Sequence, residues 1–424
     1  MRAEILSVGT EILIGSILNT NARFLSQKLA ENAIDVYHQT VVGDNVGRIV
    51  ECFETAVRRS DMIVASGGLG PTEDDVTMTA LSRFLGKPLV LNRQTRQAIV
   101  QRLKRRNLPM TRLISKQCFV PQGARVLPNE NGTAPGVLAQ TAYQGRARWV
   151  LVLPGPPREL EPMFVKKALP ALIQAAKIKK EHFVIRSVKI SGLIEAQVAQ
   201  RVTNLLKLRP PLTVGIYAKP SEVELKIMAK APLKNKALQM TNRIEKEIRK
   251  RLKEKVFGID KESIASSVGK LLKKKQKSLS VAESCTGGFL SRSVTEVPGC
   301  SDYYRGGVIA YDNSIKTNQL AIPKTMIEKK GAVSMAVAKK MAQNIRMVFK
   351  TDFGIGVTGI AGPSGGSKQK PVGLVYIAIA TNHATRCFGN LFLGSRLEIQ
   401  ERAAHTALDL LRLELLRFKP AKSA

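Results

Sequence analysis

Histidine is scarce in this chain. There are four in 424 residues (His38, His182, His383 and His405), and none lies in a glycine-rich turn. That weakens any histidine-based catalytic triad and any histidine-rich metal site. The five cysteines, Cys52, Cys118, Cys285, Cys300 and Cys387, are odd in number, scattered and without CxxC spacing. They argue for a reducing compartment and against a disulfide framework or a zinc knuckle. No apolar run reaches the roughly 18 residues of a membrane span. The opening MRAEILSVGTEILIG lacks a long apolar core followed by a small-residue cleavage site, so no leader peptide is expected and a cytoplasmic location is. Glycine-rich phosphate loops of the GxxxxGK[ST] type are absent, which removes the Walker nucleotide-binding reading.

Acidic residues are also few, 33 against 67 basic ones, a formal net charge of +34. The excess is uneven: residues 171–280 hold 26 Lys+Arg and 9 Asp+Glu, a net of +17. Such a balance invites a nucleic-acid partner. The run RIEKEIRKRLKEKV favours a plainer origin. Ile244, Ile248, Leu252 and Val256 recur every four residues, so the intervening charges form the wet face of a helix.

With 44% apolar residues, sizeable cores are available, and the length suggests several domains. The first part alternates strand and helix. AEILSVG, IDVYHQTVVG, DMIVASGG and RWVLVL read as strands. NTNARFLSQKLAENA and RIVECFETAVRRS read as helices, the former with Ala22, Leu25 and Leu29 on one face and a cap at Asn19 or Thr20. TEDDVTMTALSRFLG is expected to be a helix with acids in its first turn, where the helix dipole favours them. Alternating βα units imply a mostly parallel sheet, with ligands at the carboxyl ends of its strands. GTEILIG, GGLGPTEDD and LPGPPRE follow strands there. The middle part pairs EHFVIRSVKI with a helix, then two strands and the long basic helix, a small α+β module. The third part begins near Lys261, with strands in SLSVAE, YYRGGVIAY, TDFGIGVTG, VGLVYIAIA and ATRCFGNLF and a long terminal helix.

The loops of the third part carry the chemistry. SVAESCTGGFLSR ends a strand in Glu-Ser-Cys-Thr, turns on two glycines and starts a helix. Ser284 there is either a nucleophile or, with Thr286, Gly287 and Gly288, part of an anion cradle of hydroxyls and backbone N–H groups. The plainest reading is a tight strand-to-helix crossing. YDNSIK sets Tyr311 and Lys316 five apart at a strand end, suited to acid and base roles, or else a buried phenol and a surface amine. With no histidine nearby, a lysine whose pKa is lowered by burial is the base left for a serine. PGCSDYY places Ser301 in the loop before the same strand. VTGIAGPSGGSKQKPVG offers Thr358 and Gly359 at another strand end, then a loop able to close over a ligand.

AESCTGG, GGVIAYDNSIK, GAVS, TGIAGPSGGSKQKPVG and GSR, in that order, resemble the nicotinamide-nucleotide amidohydrolase domain of the CinA family. GTEILIGSILNTNA, VGDN, SGGLGPTEDDVT, NENGTAPG and LPGPPREL resemble the family's molybdopterin-binding-like amino-terminal domain. The resemblance covers essentially the whole chain. It implies an α/β protein with three parts: a parallel-sheet molybdopterin-binding-like domain over 1–172, a small α+β KH-like module over 173–259 and an α/β deamidase domain over 260–424.

The resemblance further implies hydrolysis of nicotinamide mononucleotide (NMN) to nicotinic acid mononucleotide and ammonia. Ser301 would be the nucleophile, Lys316 the base and Tyr311 the proton partner or oxyanion donor. Ser284, Thr286, Gly287, Gly288, Asn313, Thr358, Gly359 and Arg396 would bind the nucleotide. No cofactor is implied for the deamidase. For the first domain some members suggest a metal-dependent ADP-ribose pyrophosphatase, with Glu73, Asp74 and Asp75 holding a divalent metal; an acid-favouring helix start explains the same residues. Small-molecule nucleotides are the expected partners, in a homo-oligomer, without membrane or nucleic acid.

Three features depart from the family pattern. Asp312 stands where Ser is usual, GSR where Gly-Asp-Arg or Gly-Asn-Arg is commoner, and Asp74 where molybdopterin relatives carry Arg. The alternatives are a molybdopterin-like ligand-binding protein and a nucleic-acid binder using the basic middle module. The latter lacks the GXXG clamp of KH folds between Ile178 and Phe257.

Overall fold

The computed structural model describes residues 1–178 and 181–418. It divides into two units, 1–184 with 230–237, and 185–229 with 238–424. In the first, β1 (Arg2–Val8) is buried at every position after Arg2. A strand covered on both faces needs a continuous apolar run, and AEILSV supplies one apart from Glu4 and Ser7. Strands β2 (Asp35–Val42) and β3 (Met62–Ser66) flank it in parallel. Short β4 (Leu89–Leu91) and β5 (Phe119–Pro121) form a separate antiparallel ladder. Strands β6 (Arg125–Leu127), β7 (Gly136–Tyr143) and β8 (Arg146–Leu153) complete the main sheet in the order β2-β1-β3-β8-β7-β6. The parallel part, β2-β1-β3-β8, is the predicted one.

The helix Thr20–Glu31 is capped by Asn19, whose side chain accepts from Ala22 N at 3.1 Å, and it buries Ala22, Leu25 and Leu29. The acidic run does not open a helix. The next helix starts at Thr77, and Glu73, Asp74 and Asp75 occupy the turn before it. Asp75 folds back onto Thr72 instead, accepting its backbone N–H at 2.9 Å.

The middle sheet runs β10-β11-β9-β12, from β9 (His182–Ile190), β10 (Leu212–Ala218), β11 (Val223–Ala231) and β12 (Val256–Ile259). Ile244, Ile248 and Leu252 of the helix Lys234–Leu252 pack into its core with Val198 and Val202. Val256 is buried too, but as the first residue of β12, because the helix stops at Leu252. Part of the basic excess is already paired: Glu245 takes Arg186 at 2.6 Å and Arg249 at 2.9 Å, and Glu247 takes Arg251 at 2.7 Å.

The C-terminal sheet has the order β14-β13-β15-β16-β17, from β13 (Leu279–Glu283), β14 (Tyr304–Ile309), β15 (Phe353–Gly359), β16 (Leu374–Ala380) and β17 (Thr385–Leu391). Strand β13 runs parallel to β14 and β15, so the carboxyl ends of all three meet at one edge. The helices Ile264–Lys275, Phe289–Thr295 and Arg396–Arg417 join one core, and Met335–Val348 packs with another.

Glu4 is a buried charge of the first unit. Arg59 donates to it through Nε at 2.9 Å and a terminal nitrogen at 2.7 Å, and Thr40 donates at 2.8 Å. Burial alone would raise this carboxyl; the hydrogen bonds outweigh it and hold the group below its ordinary 4.5. Arg59→Met is therefore expected to destabilise the first unit by about 2 kcal/mol, less than a fully buried pair because the Arg59 side chain is 40% exposed. A carboxyl lowered on folding stabilises above its unfolded value and loses that contribution as pH falls below it. Thermal melts should thus show the wild-type and variant curves converging below pH 4.5.

Candidate active site

The turn after β13 is shaped by a carboxylate. Glu283 is fully buried at the strand end and accepts from Gly288 N at 3.0 Å, Leu290 N at 3.0 Å, Ser291 N at 2.7 Å and the Ser291 hydroxyl at 2.5 Å. The N–H groups at the start of the following helix are satisfied inside the protein. The expected anion cradle is therefore already filled by Glu283, and Gly288 cannot offer its N–H to a phosphate. The two glycines serve the backbone instead: Gly287 and Gly288 have φ of +58° and +96°, in the left-handed region where a side chain is strained.

This turn leaves Ser284 at the carboxyl end of β13, 8% exposed. Its backbone N–H bonds to Val357 O at 3.0 Å, and its hydroxyl has no partner among the described residues. The Thr286 hydroxyl is buried and also without a partner. Cys285 between them is no rival nucleophile. Burial pushes its thiol up to about 12, so the thiolate is absent at neutral pH.

Lys316 completes the group. Glu283 O accepts from Ala310 N at 2.7 Å, and Ala310 O accepts from Lys316 Nζ at 2.8 Å, with Tyr311 O accepting from the same nitrogen at 3.0 Å. The lysine is 1% exposed and Tyr311 is 57% exposed, the reverse of a buried phenol and a surface amine. Burial lowers the Lys316 ammonium below its ordinary 10.5, only partly offset by Asp312 and Cys285. A neutral amine that donates both hydrogens to two carbonyls has its lone pair as its free valence. Asp312 caps the helix Asn313–Leu320, accepting from Ser314 N at 2.8 Å, which accounts for an acid at that position. Arg396, from the start of the last helix, donates to the Tyr311 hydroxyl at 2.8 Å and to Gly362 O at 2.7 Å. Asn313 and Arg396 remain exposed beside Tyr311.

The other expected residues lie elsewhere or do other work. Ser301 sits in the short 3-10 turn Cys300–Asp302 before β14, exposed at the amino end of that strand. Because β14 is parallel to β13, with Tyr304 opposite Leu279 and Ile309 opposite Glu283, Ser301 and Lys316 lie at opposite poles of the sheet, roughly 20 Å apart at strand rise. Within the chain, Ser301 and Lys316 are not brought together. Thr358 gives its hydroxyl proton to Ala332 O at 2.9 Å. Gly359 is glycine because an added Cβ would meet Leu374 O at 2.6 Å.

In the first unit a cavity of about 460 Å³ opens at the carboxyl ends of β1, β3 and β8, lined among others by Asn21, Asp44, Gly67, Asp74 and Asp75. The metal implied for this domain does not fit these residues. Glu73 and Asp74 are exposed, Asp75 is bound to Thr72, and no group of three or more His, Cys, Asp or Glu among the described residues could hold an ion. Asp74 is held below the usual carboxylate range by a hydrogen bond from Thr72. No helix among the described residues is long and apolar enough to cross a membrane.

Three family models match in order: "Probable molybdopterin binding domain" over residues 4–174, "Damage-inducible protein CinA KH domain" over 185–258 and "CinA C-terminal domain" over 261–415. A CinA-like protein of Kosmotoga olearia is 43% identical over 418 residues, 98% of this chain and 99% of its own. The chain belongs to the CinA family. Another CinA-like protein, from Dictyoglomus thermophilum, is 42% identical over 98% of this chain and all of its own. Among solved structures, the competence/damage inducible protein CihA of Agrobacterium tumefaciens is 33% identical, covering 36% of this chain and 93% of its own, with a TM-score of 0.35. The protein CinA of Thermoplasma acidophilum is 33% identical over 41% of this chain and 98% of its own, with a TM-score of 0.36.

Two residues of this CinA-family site escaped the motifs. One is Glu283; the signal for it is a carboxylate closing a buried strand, which must find donors. The other is Gln400, which donates to Cys285 O at 2.8 Å from the last helix and pins the turn from the other side. Glu283→Ala would leave three backbone N–H groups unsatisfied. Urea unfolding should show a loss of about 3 kcal/mol or more in the C-terminal domain, whereas an unchanged midpoint would remove Glu283 as the organiser of the turn.

Proposed function

We propose that the C-terminal domain hydrolyses the carboxamide of NMN, with Ser284 rather than Ser301 as nucleophile and Lys316 as its base. The observation that carries this reading is the buried Lys316 amine, tied to two carbonyls beside the turn that presents Ser284. The resemblance of the motifs to the amidohydrolase domain supplies the substrate.

In this reading, Ser284 Oγ attacks the carboxamide carbon while its proton passes to the Lys316 amine. The carbonyl π electrons move to oxygen, and the unpartnered Thr286 hydroxyl is suited to donate to that oxyanion. The oxyanion collapses, the C–N bond breaks, and the proton reaches the leaving amine, which departs as ammonia. The relay of that proton is assigned to the Tyr311 phenol, which accepts from Arg396. Water then attacks the serine ester, giving its proton to Lys316, which passes it to the departing Ser284 oxygen, so the acid and the free Ser284 hydroxyl are released and the amine is neutral again. Every group in these steps belongs to the chain or is water. Arg396 and Asn313 are left to meet the phosphoribosyl end.

Steady-state kinetics with NMN test the assignment. Ser284→Ala and Lys316→Ala should each abolish kcat, and the double variant should be little worse than either, since the pair acts as a unit. Ser301→Ala should turn over as wild type; its loss of activity with Ser284→Ala active would reverse the assignment. The pH profile of kcat/KM should fall on the acid side as Lys316 gains its proton, with a midpoint below the 10.5 of an ordinary lysine. A flat profile across that limb would remove Lys316 as the base.

A further inference from the structure

A cavity of about 620 Å³ opens at the amino pole of the C-terminal sheet, the end away from Ser284. Several pieces of chain converge on it. Lys274 and Lys275 end the helix Ile264–Lys275, Lys277 leads into β13, Asp352 leads into β15, and Phe418 follows the last helix. The β16–β17 hairpin tip closes the rest, since antiparallel pairing sets Ala380 opposite Gly354 at the same pole.

The charges select the ligand. Three lysines line the cavity against one carboxylate, a net of +2. The carboxylate is spent: Asp352 accepts from Lys277 Nζ at 2.8 Å, from Ser278 N at 2.9 Å and from the Ser278 hydroxyl at 2.8 Å. Other acids of this pole are committed as well, Asp302 to Lys273 at 2.8 Å and Glu414, one turn before Phe418, to Arg386 at 2.8 Å. Lys275 donates to Phe418 O at 2.7 Å, which leaves it two further N–H groups. Lys274 is exposed, with no partner among the described residues. A helix end favours cations, which accounts for lysines at 273–275. It does not account for a cavity whose one carboxylate is saturated while two ammonium charges are left over. The backbone N–H groups of Lys277, Ser278, Phe353 and His383 are bonded within the protein. Recognition therefore falls to the ammonium groups and to Asn382, whose carbonyl oxygen accepts from Arg346 and whose amide N–H groups are left to donate.

An apolar wall adjoins the charges. Lys275 Nζ and Lys277 Nζ stand 5.8 Å and 5.4 Å from the centroid of the Phe418 ring, and Phe353 meets that ring edge-on at 6.1 Å. Attraction to the ring face keeps both ammonium groups beside it. A phosphate monoester carries about −1.5 to −2 charges at neutral pH, which matches the surplus. Lysine, a compact charge with rotatable donors, suits such a head. We infer that this cavity binds a small organic phosphate, its dianionic head taken by Lys274 and Lys275 and its body lying along Phe418. The site is at the pole opposite Ser284 and Lys316, so it stands apart from the amidohydrolase reading and does not rest on it.

The test is calorimetric titration of the full chain with phenyl phosphate, beside phenyl sulfate, a monoanion of the same shape. Saturable binding of phenyl phosphate to the wild type is expected, with phenyl sulfate weaker. The double variant Lys274→Gln/Lys275→Gln should weaken phenyl phosphate roughly tenfold or more, the loss of charged hydrogen bonds. Lys246→Gln/Lys250→Gln, which removes the same charge from the exposed face of the middle helix, should bind as the wild type does, and so should Arg396→Gln at the other pole. Lys274→Gln alone touches no internal hydrogen bond. It should weaken the probe in the same direction, and it carries the test should the double variant fail to fold, as judged by its thermal melt. Failure of phenyl phosphate to saturate would overturn the proposal, as would phenyl sulfate binding equally well. Titrations of the Lys274 variants equal to wild type, or equal weakening by Lys246→Gln/Lys250→Gln or Arg396→Gln, would overturn it too.

Discussion

A buried carboxylate with no ion-pair partner among the described residues decides the shape of the C-terminal site. Glu283 is surrounded by donors from the turn that follows it, three backbone N–H groups and a hydroxyl. Charge-assisted hydrogen bonds of this kind are strong enough to hold a negative group in an apolar core. Holding it bends the chain back at Gly287 and Gly288, which brings Ser284 and Thr286 to the carboxyl edge of the sheet. The same strand end reaches Lys316 through Ala310, so the Ser284 turn and Lys316 are joined by one hydrogen-bonded chain rather than held by two independent loops. Gln400 and Arg396, both from the last helix, close the arrangement over Cys285 O and Tyr311.

That arrangement would let a serine–lysine pair take the place of a histidine-based one. Lysine is a poor base while solvated. Here its side chain is 1% exposed, and burial lowers its pKa with only Asp312 and Cys285 opposing. The carbonyls of Ala310 and Tyr311 satisfy the amine's hydrogens without stabilising the ammonium as a carboxylate would. Cys285, next to Ser284, is kept protonated by its own burial.

Most of the architecture was legible in the sequence, because buried strands, amphipathic helices and their caps leave local patterns. Ala22, Leu25 and Leu29 with Asn19, and Ile244, Ile248 and Leu252, behave as their spacing predicts. The misses share one cause: a local pattern was completed by a distant or competing partner. The acids at 73–75 looked like a helix start, but Thr72 captures Asp75 first. Val256 continued the helical spacing, yet the helix ended and a strand took the residue. Strands β4 to β7 carry short or mixed patterns that only the sheet resolves. The cradle at SCTGG was legible as an anion site; that the anion is the chain's own Glu283 was not, since nothing local pairs them. The separation of Ser301 from Lys316 was legible from a usable rule. Ser301 precedes β14, and a residue before a parallel strand lies at the pole away from the ligands.

The central claim is that the reaction is carried by the serine at the carboxyl end of β13. The most direct measurement is rapid acid quench of the full chain during NMN turnover, followed by peptide mass mapping of the trapped acyl adduct. The account predicts a nicotinoyl ester of the mononucleotide on the peptide that carries Ser284, with Lys316 and Ser301 unmodified. An adduct on Ser301, or on any other side chain, would contradict it.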